Sequence, residues 1–173
     1  PSGITELSAL SSVGNEINVL EESFNATGNG WATYNESSGG QPANADWSLR
    51  PYLFSPSWIY GYEFMSNDNS QFYLSSSIAQ GYEVNTANIL ESPEFSTVGL
   101  ASASLSFFHQ FKHQPAINGN MNDSIRVQIS ANGNTWNNIY FNNSSSVGLS
   151  PEDFVQQIIS LNAYLNEPSL KLR

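Results

Sequence analysis

Between Ala103 and Trp136 apolar residues fall at every second position on both sides of a Pro/Asn/Gly-rich break: Ala103, Leu105 and Phe107, then Ile125, Val127 and Ile129. That is the period of a half-buried strand, since a helix carrying the same residues would scatter them around its circumference. Two core strands therefore meet here. In DSIRVQIS the alternate positions Ser124, Arg126, Gln128 and Ser130 form a polar face, so one side of the sheet packs while the other is wet or lines a polar surface.

A chain of 173 residues is long enough to bury one sizeable core and fits one domain. Hydrophobic residues make up 39% and can build that core, while charged residues reach only 12%, well below the roughly 25% of ordinary domains. Asn, Ser, Gln and Thr carry the polarity instead. Asn and Ser hydrogen-bond their own backbone and tolerate tight turns, which favours β-structure with long connections. The formal net charge of -10, from 5 basic against 15 acidic residues, repels phosphate backbones and anionic lipid and excludes nucleic acid as a partner. With so few cations to pair, the carboxylates face water or surround a divalent cation. Cysteine is absent, which removes disulfides, thiolate zinc sites and cysteine nucleophiles. No run has the length of a transmembrane helix, so direct membrane insertion is not expected; Pro1 is not an initiator residue, which predicts a leader or upstream segment.

In chain order, residues 1–16 are small and polar and read as an arm or linker able to add an edge strand; residues 17–173 form the domain. EINVLEESF reads as a strand with Leu20, Glu22 and Phe24 on one face. The following segment to Trp47 is turn chemistry throughout, a long loop anchored by Trp31 and Tyr34. In SPSWIYGYEF the residues Trp58, Tyr60, Tyr62 and Phe64 recur at period two and share one strand face. Such a stripe either packs against the protein or stacks sugar rings. QFYLSSS, ILESPEF and TWNNIYF read as further strands. In the tail, Ser150, Pro151 and Glu152/Asp153 are helix-start signals, yet VQQIIS and SLKLR also alternate as strands.

Laid out together, these residues resemble a MAM-type domain, closest to the bacterial cleaved-adhesin haemagglutinin domains and the choice-of-anchor J domains of Bacteroidota surface proteins. The resemblance runs from Val19 to Arg173 on Glu22-Ser23-Phe24, Gly30-Trp31, Asp46-Trp47, Phe72-Tyr73-Leu74, Leu90 to Pro93, Ala103 to Phe107, and Asp123 to Ser130 with Gly133 to Trp136. It implies an all-β fold, two antiparallel sheets in a β-sandwich of jelly-roll type. It also implies that the tail is a strand, a turn at Leu161 to Tyr164 and a final strand at Leu170 to Leu172, overriding the helix signal, with more chain following Arg173. Functionally it implies a non-catalytic adhesion or interaction module, secreted or at a cell surface, whose partners are a protein or glycan there and adjacent domains of the same polypeptide. The alternatives are a carbohydrate-binding module using Trp58, Tyr60 and Tyr62, and a structural spacer or accessory domain of a larger protein. Where the family has Asp before its first Phe and Glu after it, this chain has Ser23 and Asn25.

A nucleophile elbow, a Gly-rich phosphate loop and a zincin signature are all absent, so no catalytic residue is assigned and no enzyme is expected. His109 and His113 have the spacing of zinc ligands on a helix, but their surroundings read as a strand, which makes them two sheet histidines held by hydrogen bonds. The expected cofactor is a structural Ca²⁺ held by Glu22, Asp46 and Asp123, with Asn25 and backbone carbonyls. An unpaired Glu22 beside an inward Phe24 is costly, and one ion at Asp46 and Asp123 would pin the long loop to the central strand. The predicted core is Phe24, Trp31, Leu105, Phe107, Ile125, Val127 and Ile129.

Overall fold

The computed structural model describes residues 2–11, 16–26, 28–57, 63–81, 84–111, 123–143 and 154–173, with the backbone alone for residues 2–11 and 16. The protein is all-β and its strands pair antiparallel. One sheet is built on β9 (Leu100–His109), which pairs with β1 (Ser2–Ser11) on one side and β12 (Val155–Ser160) on the other. Beyond β1 the sheet continues through β7 (Phe72–Leu74) to β4 (Ser48–Arg50), while β2 (Glu16–Glu21) pairs with the far half of β1. A second sheet orders β11 (Asn137–Asn142), β10 (Ile125–Ser130) and β13 (Lys171–Leu172). Two small ribbons complete the described strands: β3 (Ala32–Asn35) with β8 (Asn88–Glu91), and β5 (Leu53–Phe54) with β6 (Phe64–Met65).

The alternation in the central stretch does what its period requires. Ala103, Leu105 and Phe107 of β9 and Ile129 of β10 are buried in one cluster with Leu161, Leu170 and Leu172, so the cluster joins residues of both sheets. Phe24 and Trp31 are buried as predicted, whereas Val127 and Ile125 are only half-buried. Opposite Val127 the pairing with β11 shifts by one residue, a bulge that leaves both Ile139 and Tyr140 packed on the core.

Three expectations are corrected. Residues 2–11 are an interior strand between β9 and β2, not an arm at an edge; a polar segment carries little period of its own, and its place comes from backbone pairing on both sides. The strand leading to Phe24 ends at Glu21, because Phe24 takes a left-handed φ of 59° and the chain turns there. Glu22 closes that turn by accepting the Phe24 N–H on Oε1, so Leu20, Glu22 and Phe24 do not share a strand face. The long loop before Trp47 contains β3 and a 3₁₀ turn at Pro42–Ala45. Non-local pairing with β8 makes that strand, and no local pattern announces it.

In the tail the strand reading holds. Val155–Ser160 pairs with β9 along its length and packs Ile159 on the core, followed by a 3₁₀ turn at Asn162–Tyr164 and β13. Six ladder pairs and core burial outweigh the local helix signal at Ser150 to Asp153, residues that lie outside those described. Buried Thr97 secures the turn: its hydroxyl donates to the Tyr164 carbonyl at 2.5 Å and accepts the Glu167 N–H at 3.1 Å. Gly40 is required where it stands. Its φ is +58°, and an added methyl would run into the backbone carbonyl of Gln80.

Candidate functional site

The alternation of β9 also has an outer face. Ser106 and Phe108 point away from the core, and on β12 their neighbour Gln156 donates from Nε2 to Ser106 Oγ at 3.0 Å. Against this face stands the turn Ser66–Gln71 that joins β6 to β7. Asp68 Oδ1 accepts the Ser70 N–H at 2.9 Å, Asn69 takes a positive φ of 62°, and Ser66 Oγ donates to the Ser70 carbonyl at 2.5 Å. These are the local bonds that Asn, Asp and Ser form in preference to extended structure, so the sequence SNDNS folds into a hydrogen-bonded wall. Asn25 ties the wall to the Phe24 turn by accepting the Gln71 N–H at 2.9 Å.

Between wall and sheet lies an open pocket of about 190 Å³. Its floor is aromatic: Phe24, Phe72 and Phe154 are buried, with Phe72 and Phe154 meeting edge to face at 6.0 Å. Phe24 is held from behind by the edges of Trp31 and Tyr73 at 5.5 and 5.1 Å. The rim is amide, hydroxyl and one carboxylate, from Asn67, Asp68, Gln71, Ser106 and Gln156. The Asn67 and Gln71 side chains make no hydrogen bond among the described residues and so remain available to a ligand. Aromatic carbon beneath amides and hydroxyls is complementary to a neutral ring bearing hydroxyl groups. The volume is below the roughly 300 Å³ at which drug-sized sites begin, so the pocket accepts one ring-sized group.

The residues singled out from sequence lie elsewhere or apart. Glu22 is half-buried with one oxygen on its own turn, and Asn25 is exposed with its carbonyl oxygen on Gln71. Asp46 caps the 3₁₀ turn Pro42–Ala45, and Asp123 is half-buried just ahead of β10. Among the described residues no three His, Asp or Glu side chains come together in a group that could hold a metal. Trp58, Tyr60, Tyr62 and His113 lie outside the described residues. His109 is in strand β9, not on a helix, so the spacing that aligns zinc ligands does not operate. It is fully buried, with Nε2 sharing a 3.0 Å hydrogen bond with Tyr140 Oη and Nδ1 without a partner. Burial pushes its pKa down to about 4, and burial likewise raises that of Tyr140.

The pocket residues formed no linear motif. Their floor is drawn from three separate segments of the chain. The fold and pocket define an all-β, antiparallel protein with a small aromatic-floored cleft on a sheet face. No family model, curated protein or solved structure matches this chain.

Proposed function

We propose that this chain is a non-catalytic adhesion or interaction module, of jelly-roll type, belonging to a secreted or cell-surface bacterial protein, and that it binds a glycan end-group. The observation that supports the reading is the pocket: a phenylalanine floor under a rim of Asn67, Asp68, Gln71 and Gln156. Among the described residues its lining holds no histidine, lysine or arginine and one carboxylate, Asp68, so recognition rests on apolar contact with the floor and on hydrogen bonds to amides, hydroxyls and that carboxylate. A glycan array with the wild-type chain, followed by titration of the best hit, tests this. Gln156→Ala and Asn67→Ala are each expected to weaken binding about tenfold, the loss of roughly one hydrogen bond of 1.4 kcal/mol. Unchanged binding in both variants would remove the pocket from the reading. If Trp58→Ala or Tyr60→Ala alone abolishes binding, the aromatic stripe is the sugar platform instead.

A structural Ca²⁺ at Glu22, Asn25, Asp46 and Asp123 belongs to the same proposal; its support is the scarcity of cations in a chain of net charge -10. An ion bound only by the folded state raises the melting temperature. Melts in excess Ca²⁺ and in chelator, on wild type and Asp123→Asn, are expected to separate for wild type and to coincide for the variant. Coincident midpoints in wild type would withdraw the ion.

A further inference from the structure

The outer face of the three-stranded sheet is chemically unlike the rest of the chain. Of the 5 basic residues, Arg126, Lys171 and Arg173 stand on it, while 15 acidic residues make the net charge -10. Lys171 is committed to Glu91, with Nζ to Oε1 at 2.8 Å, and that partner raises its pKa. The two arginines have no carboxylate partner among the described residues.

Both guanidinium groups are held in place. Arg126 lies over the exposed ring of Phe141, its cross-strand neighbour, 5.5 Å from the centroid. Arg173 lies over Trp136 at 4.3 Å and donates from Nε to Gln128 Oε1 at 2.8 Å. Gln128 in turn donates from Nε2 to Asn138 Oδ1 at 2.8 Å. Backbone bonds between Gln128 and Arg173 in both directions place Arg173 directly across from Gln128, and Arg126 two residues away on the same face. Two arginines thus flank an amide bridge, at the diagonal spacing of about 7–8 Å usual for cross-strand neighbours.

We infer that this face docks an acidic segment of a protein partner, its carboxylates received by Arg126 and Arg173. Charge complementarity selects the ligand: stacked guanidiniums keep their in-plane N–H groups for carboxylates, which arginine grips in bidentate fashion. The net charge of -10 repels polyanions in general, and among the described residues three of the four basic side chains are gathered on this face. Protein is favoured over acidic polysaccharide because a guanidinium already lies over each aromatic ring, leaving neither free to stack on a sugar. Arginine, Trp and Phe are also residue types enriched at protein–protein interfaces. The inference is independent of the glycan pocket, which lies on the other sheet.

Titrating the chain with oligo-L-glutamate, oligo-L-glutamine and oligogalacturonate, followed by two-dimensional amide NMR, tests it. Oligo-L-glutamate is expected to bind, to shift the amides of Arg126, Gln128 and Asn138, and to weaken as salt is raised. Arg126→Gln and Arg173→Gln are each expected to lower its affinity about tenfold. No binding, shifts located elsewhere, affinity indifferent to both variants, or equal or tighter binding of oligogalacturonate would each overturn the inference. The shift map on wild type decides the matter even if a variant fails to fold.

Discussion

Leu105→Ala is expected to cost the fold about 3–5 kcal/mol, the upper part of the range for truncating a buried leucine. Leu105 is fully buried at the middle of β9, and its neighbours in the cluster, Phe107, Ile129, Leu161 and Leu172, come from both sheets. Backbone pairing on both sides of β9 prevents the strand from closing over the cavity. A loss of this size is a large fraction of the roughly 5–15 kcal/mol that stabilises a typical domain. Urea unfolding followed by tryptophan fluorescence measures it, and Ile125→Ala supplies the contrast. Ile125 has the same place in the alternation but is only half-buried, so its truncation is expected to cost about 1 kcal/mol. Equal losses for the two variants would contradict the burial described.

Acidification is expected to destabilise the protein through His109 on the order of 2 kcal/mol between pH 6.5 and about 4. The unfolded chain takes up a proton on this histidine near pH 6.5, whereas the folded chain does so only near pH 4, because burial disfavours the imidazolium. Between those values the unfolded state binds more protons, so stability falls as pH falls, and below about pH 4 the loss stops growing. The neutral ring is held by Tyr140 and sits 5.6 Å from Phe107, and the positive charge of the N-terminus adds to burial in disfavouring a cation there. Denaturant unfolding at a series of pH values measures the slope. His109→Gln keeps a group able to bond Tyr140 but cannot titrate, and is expected to flatten the curve over this window. A variant with the wild-type slope would assign the effect to carboxylates instead.

The two residues show how differently position can be read. Leu105 was legible because a strand's side chains alternate, so a period of two in Ala103, Leu105 and Phe107 names the buried face before any partner is known. The same logic located Ile129, and the order of motifs carried the tail over its helix-start signals to the strand that pairs with β9. His109 is different: it extends that buried face by one more step, but its pairing with Tyr140 depends on a bulge in another strand.

Sequence alone determined where the central strands run and which of their faces packs, because those properties follow from local period; composition favoured β-structure, but in the tail the local rules pointed to a helix. Tertiary structure decided the rest. The interior place of β1 and the existence of β3 come from backbone hydrogen bonds to distant strands, which side chains of either segment do not encode. The turn at Phe24 separated Glu22 from the face it was expected to share, since one residue with positive φ ends an alternation that extrapolation would continue. The pocket and the arginine face are likewise tertiary, because each draws side chains from strands and turns far apart in the chain, and only sheet register brings them within reach of one ligand.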